Sequence, residues 1–590
     1  MKYETVAEAY RDLDEATGRL VLIERLAALL AQTPDKLLPV VCYLCQGLIA
    51  PEFAGVDLGL AEKLAIRAVA AAAGADQAEV AARVREIGDL GLAGEQLLAA
   101  APPSGAADRR AILTVVTVVN TLRQIANAEG QGSQGLKLEL LALLLGRATP
   151  LEARYLLRLV TGNLRLGIGT PTILDALAQV HAGGRASRPV LERAYNICCD
   201  LGLVASVLVD GGLDAVERIQ VRPGHPVRAM LAQRLADATE ILAKLGGACA
   251  AEYKYDGMRV QAHRTADGAI ELYTRRLEQV SAQFPDVVEV LAAGLGPAEA
   301  IVEGEVVAFD AATDELRPFA EVMFRRRKYG IAEAVRDVPV GLFCFELLYA
   351  DGRDLTRLPY PERRAALAAA ITPSARLRLT TASSVHDPAA LDAAFEQAIT
   401  DGCEGLMCKS VSPASVYQAG NRGWLWIKLK RDYRTELSDT VDLAVVGAYA
   451  GRGRRAGVYG AVLLAAYDPD ADVFRTVTKC GAGFSDADLA ALPGRLAPLV
   501  SPQRPARVDA RQQPDVWFEP GLVLEILSAE LTLSPNYSAA WGLIKPDAGL
   551  AMRFPRFTGR WRDDKAPEDA TTTAELADLY RTARRAPAGS

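Results

Sequence analysis

The segment Glu252-Tyr253-Lys254-Tyr255-Asp256-Gly257-Met258-Arg259 carries the residue types most suggestive of chemistry. Read as a strand entering a glycine turn, it places Glu252, Lys254 and Asp256 on one face by the two-residue period of a strand. A lysine attacks as a nucleophile only after losing its proton, which calls for a pKa lowered by burial or neighbouring positive charge. Suitable company follows along the chain. Val302-Glu303-Gly304-Glu305-Val306-Val307 puts two carboxylates on one face of an apolar strand, a pattern suited to magnesium. Glu404-Gly405-Leu406-Met407-Cys408-Lys409 adds another carboxylate, and Trp426-Ile427-Lys428-Leu429-Lys430 aligns two lysines to grip phosphate oxygens. Taken singly, each pair reads more simply as a solvated strand face.

The elements that must position these residues change character along the chain. Residues 1 to about 230 read as successive helices rich in alanine and leucine. Thr33-Pro34 and Thr170-Pro171 each set a capping hydroxyl before a proline at the first helical position. Thr149-Pro150-Leu151-Glu152 adds the glutamate of a capping box. The pattern breaks at Arg222-Pro223-Gly224-His225-Pro226, and one amphipathic stretch over 230–245 leads to Gly246-Gly247. Short strands are expected next at 251–264, 270–274, 300–310, 340–349 and 424–430, with helices at 361–370 and 389–400. From near Asp439 the chain turns strand-rich, at 441–467 and 516–530, with glycine turns as in a small β-barrel. A last helix is capped by Thr572 with Glu575 three residues on. The expected organisation is multi-domain: an all-α domain over 1–232, an α+β domain over 247–437 and a β-barrel domain over 438–590.

Composition bounds the function classes. A chain of 590 residues exceeds one hydrophobic core, and half of its residues are apolar with 24% charged, an ordinary globular balance. No run approaches the roughly 18 apolar residues of a membrane helix, and the start has no signal-peptide pattern, so a cytoplasmic protein is expected. Nine cysteines without a dense cluster fit a reducing compartment. The lone pair Cys42 and Cys45 reads as two buried thiols on a helix face rather than a metal site. Four histidines leave little room for histidine acid–base catalysis or a multi-histidine metal centre. A net charge of −7 argues against nucleic-acid binding by bulk attraction, but local basic patches suffice for phosphate contacts.

Taken together and in this order, these segments resemble the nucleotidyltransferase motifs of ATP-dependent DNA ligases, closest to the archaeal and eukaryotic replicative type. The resemblance extends over nearly the whole chain. It includes Leu164-Arg165-Leu166-Gly167-Ile168-Gly169 and Pro223-Gly224-His225-Pro226-Val227-Arg228 in the helical part. In the barrel it includes Gly447-Ala448-Tyr449, Gly451-Arg452-Gly453-Arg454-Arg455, Arg553-Phe554-Pro555-Arg556-Phe557 and Arg562-Asp563-Asp564-Lys565. It implies a helical DNA-binding domain, an adenylation domain and an OB-fold, acting as a monomer on nicked duplex DNA.

The resemblance further implies that Lys254 takes AMP from ATP, that AMP passes to the 5′-phosphate of a nick, and that the 3′-hydroxyl displaces it. Glu252 would read adenine, and Phe345 would stack on it. Arg259 and Arg275 would hold the nucleotide and the nick phosphate, although Arg276 stands where many relatives have asparagine. Glu305 would contact the ribose or the metal site, and Glu404 would help bind a divalent ion, magnesium with manganese as the alternative. Lys428 and Lys430 would bind the α-phosphate, and Arg562 and Lys565 would assist pyrophosphate departure. DNA phosphates would meet Lys137, Arg165, Arg454 and Arg455, along with the run Arg325-Arg326-Arg327-Lys328. A sliding clamp is a family-type partner, but no clamp-binding peptide is visible. Rival readings are an NAD-dependent ligase, whose four-cysteine zinc site is missing here, an RNA ligase, a capping guanylyltransferase, whose kind lacks such a helical domain, and a nick-binding protein without activity.

Overall fold

The computed structural model describes residues 1–100, 112–310, 313–327, 329–430, 440–451, 457–528 and 530–585, with 320 and 582–585 described by their backbone alone. The chain divides into two compact units, residues 1–83 with 90–431 and residues 84–89 with 432–590.

From Tyr3 to Glu217 every regular element among the described residues is an α-helix or a short 3-10 helix. The capping box at Thr149 forms as expected: its hydroxyl accepts from the Glu152 amide, and the Glu152 carboxylate accepts from the Thr149 amide at 2.7 Å. The other two threonine–proline signals act differently. Thr33 donates its hydroxyl to the Leu29 carbonyl at 2.8 Å, closing the helix Arg19–Ala31 behind it instead of capping one ahead. The helix Thr170–His181 starts at Thr170 itself with Gly169 as its cap, and the Thr170 hydroxyl receives the Gln46 amide. Cys42 and Cys45 are free and buried on the helix Leu38–Cys45. Among the described residues no helix is long and apolar enough to cross a membrane.

The residues 230–245, expected as one amphipathic stretch, form strand β1 (Leu231–Arg234) followed by the helix Ala238–Leu245. Asp237 divides them by capping the helix, its carboxylate accepting from the Glu240 amide. Two sheets follow. The first runs β1, β11 (Arg422–Lys430), β10 (Gly405–Ser410), β2 (Cys249–Lys254), β9 (Ala382–Val385). The second runs β4 (Ile270–Thr274), β3 (Met258–Arg264), β5 (Ala300–Ala308), β6 (Val340–Ala350), β7 (Arg353–Asp354), with β8 (Leu377–Leu379) on β6.

Alternation assigns each sheet two faces. Cys249, Ala251, Leu406, Cys408, Ile427 and Leu429 turn one face of the first sheet onto Ile241, Leu242, Leu391 and Phe395 of its helices. In the second sheet Met258, Val260, Val302, Val306, Leu342 and Cys344 pack on Val287, Leu291 and Leu367. The residues between these positions, including Glu252, Lys254, Lys428 and Glu305, are thereby left to line the space between the sheets. A third cluster, with Ile197, Val227, Met230, Tyr417 and Trp426, joins the helical part to both sheets.

The second unit is built on β12 (Val441–Ala450), β13 (Tyr459–Asp468), β14 (Val473–Cys480), β15 (Val500–Ser501), β16 (Val508–Asp509), β17 (Val516–Phe518), β18 (Val523–Leu527) and β21 (Arg556–Trp561), joined in one sheet. A separate pair, β19 (Glu530–Ser534) and β20 (Gly549–Arg553), completes it. Leu443, Val445, Leu464, Phe518, Leu524 and Phe557 fill its core, on which Leu489 and Leu576 of two helices pack. The last of these, Thr573–Arg585, carries the expected cap, with the Glu575 amide donating to Thr572 Oγ1.

Candidate active site

Register sets the site's rows. Lys254, Gly405 and Lys430 lie side by side across β2, β10 and β11, and Glu252, Met407 and Lys428 form the next row. Gly405 must be glycine: its φ is +145°, and a Cβ there would lie 2.1 Å from the Leu429 carbonyl oxygen. With no side chain between them, Lys254 and Lys430 both reach the Glu404 carboxylate, each at 2.6 Å from Oε2. Gly257, at the end of the Lys254-Tyr255-Asp256-Gly257 turn, brings the backbone against β5, where a Cβ would meet the Val306 oxygen at 2.4 Å.

These strands enclose a cavity of about 580 Å³. The first sheet lines it with Glu252, Lys254, Met407, Lys409, Trp426 and Lys428; the second with Arg259, Glu305 and Phe345. The β5–β6 pairing shifts register between Glu303 and Gly304, opposite Phe345, and such an irregularity re-aims a side chain. Phe345 stands edge-on to Trp426 at 6.4 Å, with the Arg259 guanidinium 5.2 Å and the Lys409 ammonium 5.1 Å from its ring centre.

Charge is unevenly balanced. Burial acts to raise the Glu404 carboxyl, but Lys254 and Lys430 outweigh it and bring it down to about 2. Burial acts to lower Lys254, yet Glu404 and Glu305 hold it above the usual lysine value. Lys254 thus lies above the usual lysine value rather than below it as expected of a nucleophile, because the neighbours within closest reach are anions. Burial lowers Lys428, assisted by the charges of Lys430, Lys254, Arg422 and Arg275. Burial pushes Glu305 up to about 7 and raises Asp256 as well. The Glu305 carboxylate receives no hydrogen bond among the described residues.

Several expected site residues have protein partners. The Glu252 carboxylate, 1% exposed, is gripped by the Lys409 ammonium at 2.7 Å and the Tyr360 hydroxyl at 2.5 Å, with Arg364 at 3.6 Å. Arg259 donates to both oxygens of Glu303 at 3.0 and 2.9 Å and to the Met230 carbonyl at 3.0 Å. Glu303 also accepts from the Tyr417 hydroxyl, so of the two β5 carboxylates only Glu305 faces the cavity without a partner. Arg275 and Arg276 are both exposed at the cavity mouth. Lys409, Tyr360, Arg364 and Trp426 were not singled out from the sequence. Lys409 had a signal, since a lysine in phase with Met407 on an otherwise apolar strand must face whatever Met407 faces.

The expected DNA contacts are dispersed. The Lys137 ammonium donates to the Leu58 carbonyl at 2.9 Å, and Arg165 is exposed in a left-handed conformation, φ +47°. Arg325 leaves the expected basic run: it is fully buried and paired with Asp286 at 2.6 Å. Arg326 pairs with Glu278, Arg327 is exposed, and Lys328 lies outside the described residues. Arg454 and Arg455 also lie outside them. In the second unit Asp442 on β12 holds both Arg562, at 2.6 Å, and Lys565, at 2.8 Å.

Two sheets close over a lysine-rich cavity, and comparison with known proteins gives the class of a chain so built. Family models match in order: DNA ligase N terminus over residues 2–178, ATP dependent DNA ligase domain over 229–430, and ATP dependent DNA ligase C terminal region over 455–565. "DNA ligase 2" of Thermofilum pendens is 49% identical, the match covering 99% of this chain and 98% of that protein. "Probable DNA ligase" of Aquifex aeolicus is 48% identical, with 99% of each covered. The solved chain "Pmar-Lig_Pre." shares the fold at a TM-score of 0.55 and 16% identity, covering 94% of this chain and 99% of its own. The chain belongs to the ATP-dependent DNA ligase family.

Proposed function

We propose that this chain seals nicks in duplex DNA, using ATP, through an AMP carried on Lys254. The observation that carries the assignment to Lys254 is its place beside Lys430 on one Glu404 carboxylate, at the cavity wall and flanked by Lys428.

In the first step Lys254 Nζ bonds to the α-phosphorus of ATP, the bond to the bridging oxygen breaks, and pyrophosphate leaves. The ammonium gives up its proton before attack, which requires the nucleotide to displace the Glu404 contact. In the second, an oxygen of the DNA 5′-phosphate takes the AMP and the N–P bond breaks, restoring the lysine. In the third, the 3′-hydroxyl attacks that 5′-phosphate and AMP departs. Each step is phosphoryl transfer, governed by positioning and neutralisation of phosphate charge. Lys428 and Lys430 supply that neutralisation on the α-phosphate. Phe345 supports the base from its place beside Trp426. Glu252 acts on the base side as a carboxylate already fixed by Lys409 and Tyr360, with the neighbouring backbone. Arg259, tied to Glu303, and Arg275 at the mouth hold the nucleotide and the nick phosphate.

A divalent ion fits the acidic side. Glu305 has no hydrogen-bond donor, and Asp256 and Glu404 lie near it. Among the described residues no three acidic, histidine or cysteine side chains are close enough to hold a metal alone. Glu305 and Glu404 suit magnesium or manganese, which typically completes its shell with substrate phosphates and waters. Such an ion would add positive charge beside the phosphates. The second unit, read as an OB-fold, carries Arg562 and Lys565, whose role is pyrophosphate departure. Arg165 and Lys137, with Arg454 and Arg455, contact the DNA backbone of a monomeric enzyme. Nick sealing of a 5′-phosphorylated duplex should occur with ATP. Sealing with NAD or GTP in its place would sink the assignment of ATP.

A further inference from the structure

The helix Arg188–Cys198 and the segments 356–357 and 416–421 bound a second cleft, of about 350 Å³, in the same compact unit as the nucleotide cavity. Tyr417 belongs to its lining and has its ring 5.9 Å from that of Trp426, which lines the nucleotide cavity. The cleft brings together two guanidiniums from distant parts of the chain, Arg193 and Arg357. Neither makes a hydrogen bond or ion pair among the described residues.

Two cations facing one cleft repel, and the repulsion costs more as solvent is removed; the one carboxylate among the described lining residues, Glu192, is engaged by Arg188. Arg193 is half-buried, and burial and the Arg357 charge both disfavour its charged form. The nearby acids relieve this only in part. Glu192 pairs with Arg188 at 3.0 Å, while Asp354, which accepts from the Thr356 amide and hydroxyl, and Glu217 attract Arg193 without pairing with it. Elsewhere in this unit the buried Arg325 and Arg363 and the half-buried Arg378 have bidentate carboxylates. The side-chain amides of Asn196 and Asn421, on the same wall, also make no hydrogen bond among the described residues.

We propose that this cleft is a second phosphate-binding site, in which Arg193 and Arg357 grip one phosphate oxyanion with the amides of Asn196 and Asn421. Two planar forks and neutral donors match the several oxygens of a phosphate better than a single carboxylate. The phosphate comes either from the backbone of the duplex or from free phosphate in solution. The duplex source rests on the nick-sealing reading; the free source does not, so the two fail separately.

The test uses the full chain and the Arg193→Ala, Arg357→Ala double variant. Both residues lie outside the nucleotide cavity, so lysyl adenylation should be unchanged and reports intact folding. Nicked-duplex affinity is then measured across salt concentrations, and thermal unfolding with inorganic phosphate against chloride at equal ionic strength. A duplex source lowers the variant's slope of log K against log salt by about one to two. A free source leaves the slope alone, but phosphate stabilises the wild type more than the variant. Equal slopes together with equal phosphate stabilisation overturn the proposal. Should the alanine pair fail to adenylate, the Arg193→Gln, Arg357→Gln pair keeps polar bulk and is read the same way.

Discussion

The Glu404 carboxylate meets two ammonium groups at 2.6 Å, and this shared contact sets the protonation state from which Lys254 starts. Glu404 and Glu305 hold the Lys254 pKa up, while burial pulls it down. Removing the Glu404 charge should let burial prevail. In Glu404→Gln the acid limb of single-turnover adenylation is expected to move to lower pH, even as the rate falls. A limb that stays in place or moves upward would contradict the arrangement. The strand faces on which Glu252, Lys254, Glu305, Lys428 and Lys430 lie were legible from local spacing, because the phase of an alternating strand is local. Their partners were not. That Arg259 is spent on Glu303, and Glu252 on Lys409 and Tyr360, depends on strands from distant parts of the chain meeting.

Strand β10 holds the site together because Gly405 leaves room between two lysines. Gly405→Ala would bring a Cβ to 2.1 Å from a backbone oxygen at a φ of +145°. It should destabilise the unit by more than about 1 kcal/mol in urea unfolding and abolish adenylation; wild-type values of both would refute the packing argument. The loop before β1 is pinned to β3 through His263, whose Nδ1 accepts from the Gly224 amide while Nε2 faces Gln261 Oε1 at 2.8 Å. Burial, with the nearby His225, brings His263 down to about 3. The unfolded chain therefore takes up a proton that the folded one refuses. Stability is full above the unfolded value of about 6.5 and falls by up to about 1.4 kcal/mol per pH unit on acidification towards 3. His263→Gln should flatten this dependence in denaturant titrations at pH 7 and pH 5; an unaltered difference between the two would remove His263 as its source. Element type was legible wherever the hydrophobic period ran for a full strand or helix. It failed at 230–245, where a strand and a helix abut in one apolar stretch and only the Asp237 cap divides them. The Thr149 box was legible because both partners are local, whereas the Thr33 hydroxyl turned back to a carbonyl of the preceding helix.

Across the whole molecule, the net charge of −7 says little about local charge, since lysines and arginines line the cavity and two further cations meet Asp442 in the second unit. Arg562 and Lys565 are both held by Asp442. If their task is pyrophosphate departure, Arg562→Ala should slow lysyl adenylation about tenfold or more while a pre-adenylated sample still seals nicks. Equal loss in both assays would place Arg562 elsewhere in the reaction. The sequence named the order of the three regions, yet not the pairing of the first two into one compact unit, which rests on long-range contacts such as those of Met230 and Tyr417. The central claim is that Lys254 carries the AMP. The most direct test is incubation of the wild type and a Lys254→Ala variant with α-labelled ATP and magnesium, followed by denaturing electrophoresis. Label on the wild type alone, stable to alkali and released by acid as an N–P bond requires, is the expected result. Label on both proteins, or on neither after intact mass has excluded a pre-adenylated preparation, would contradict it.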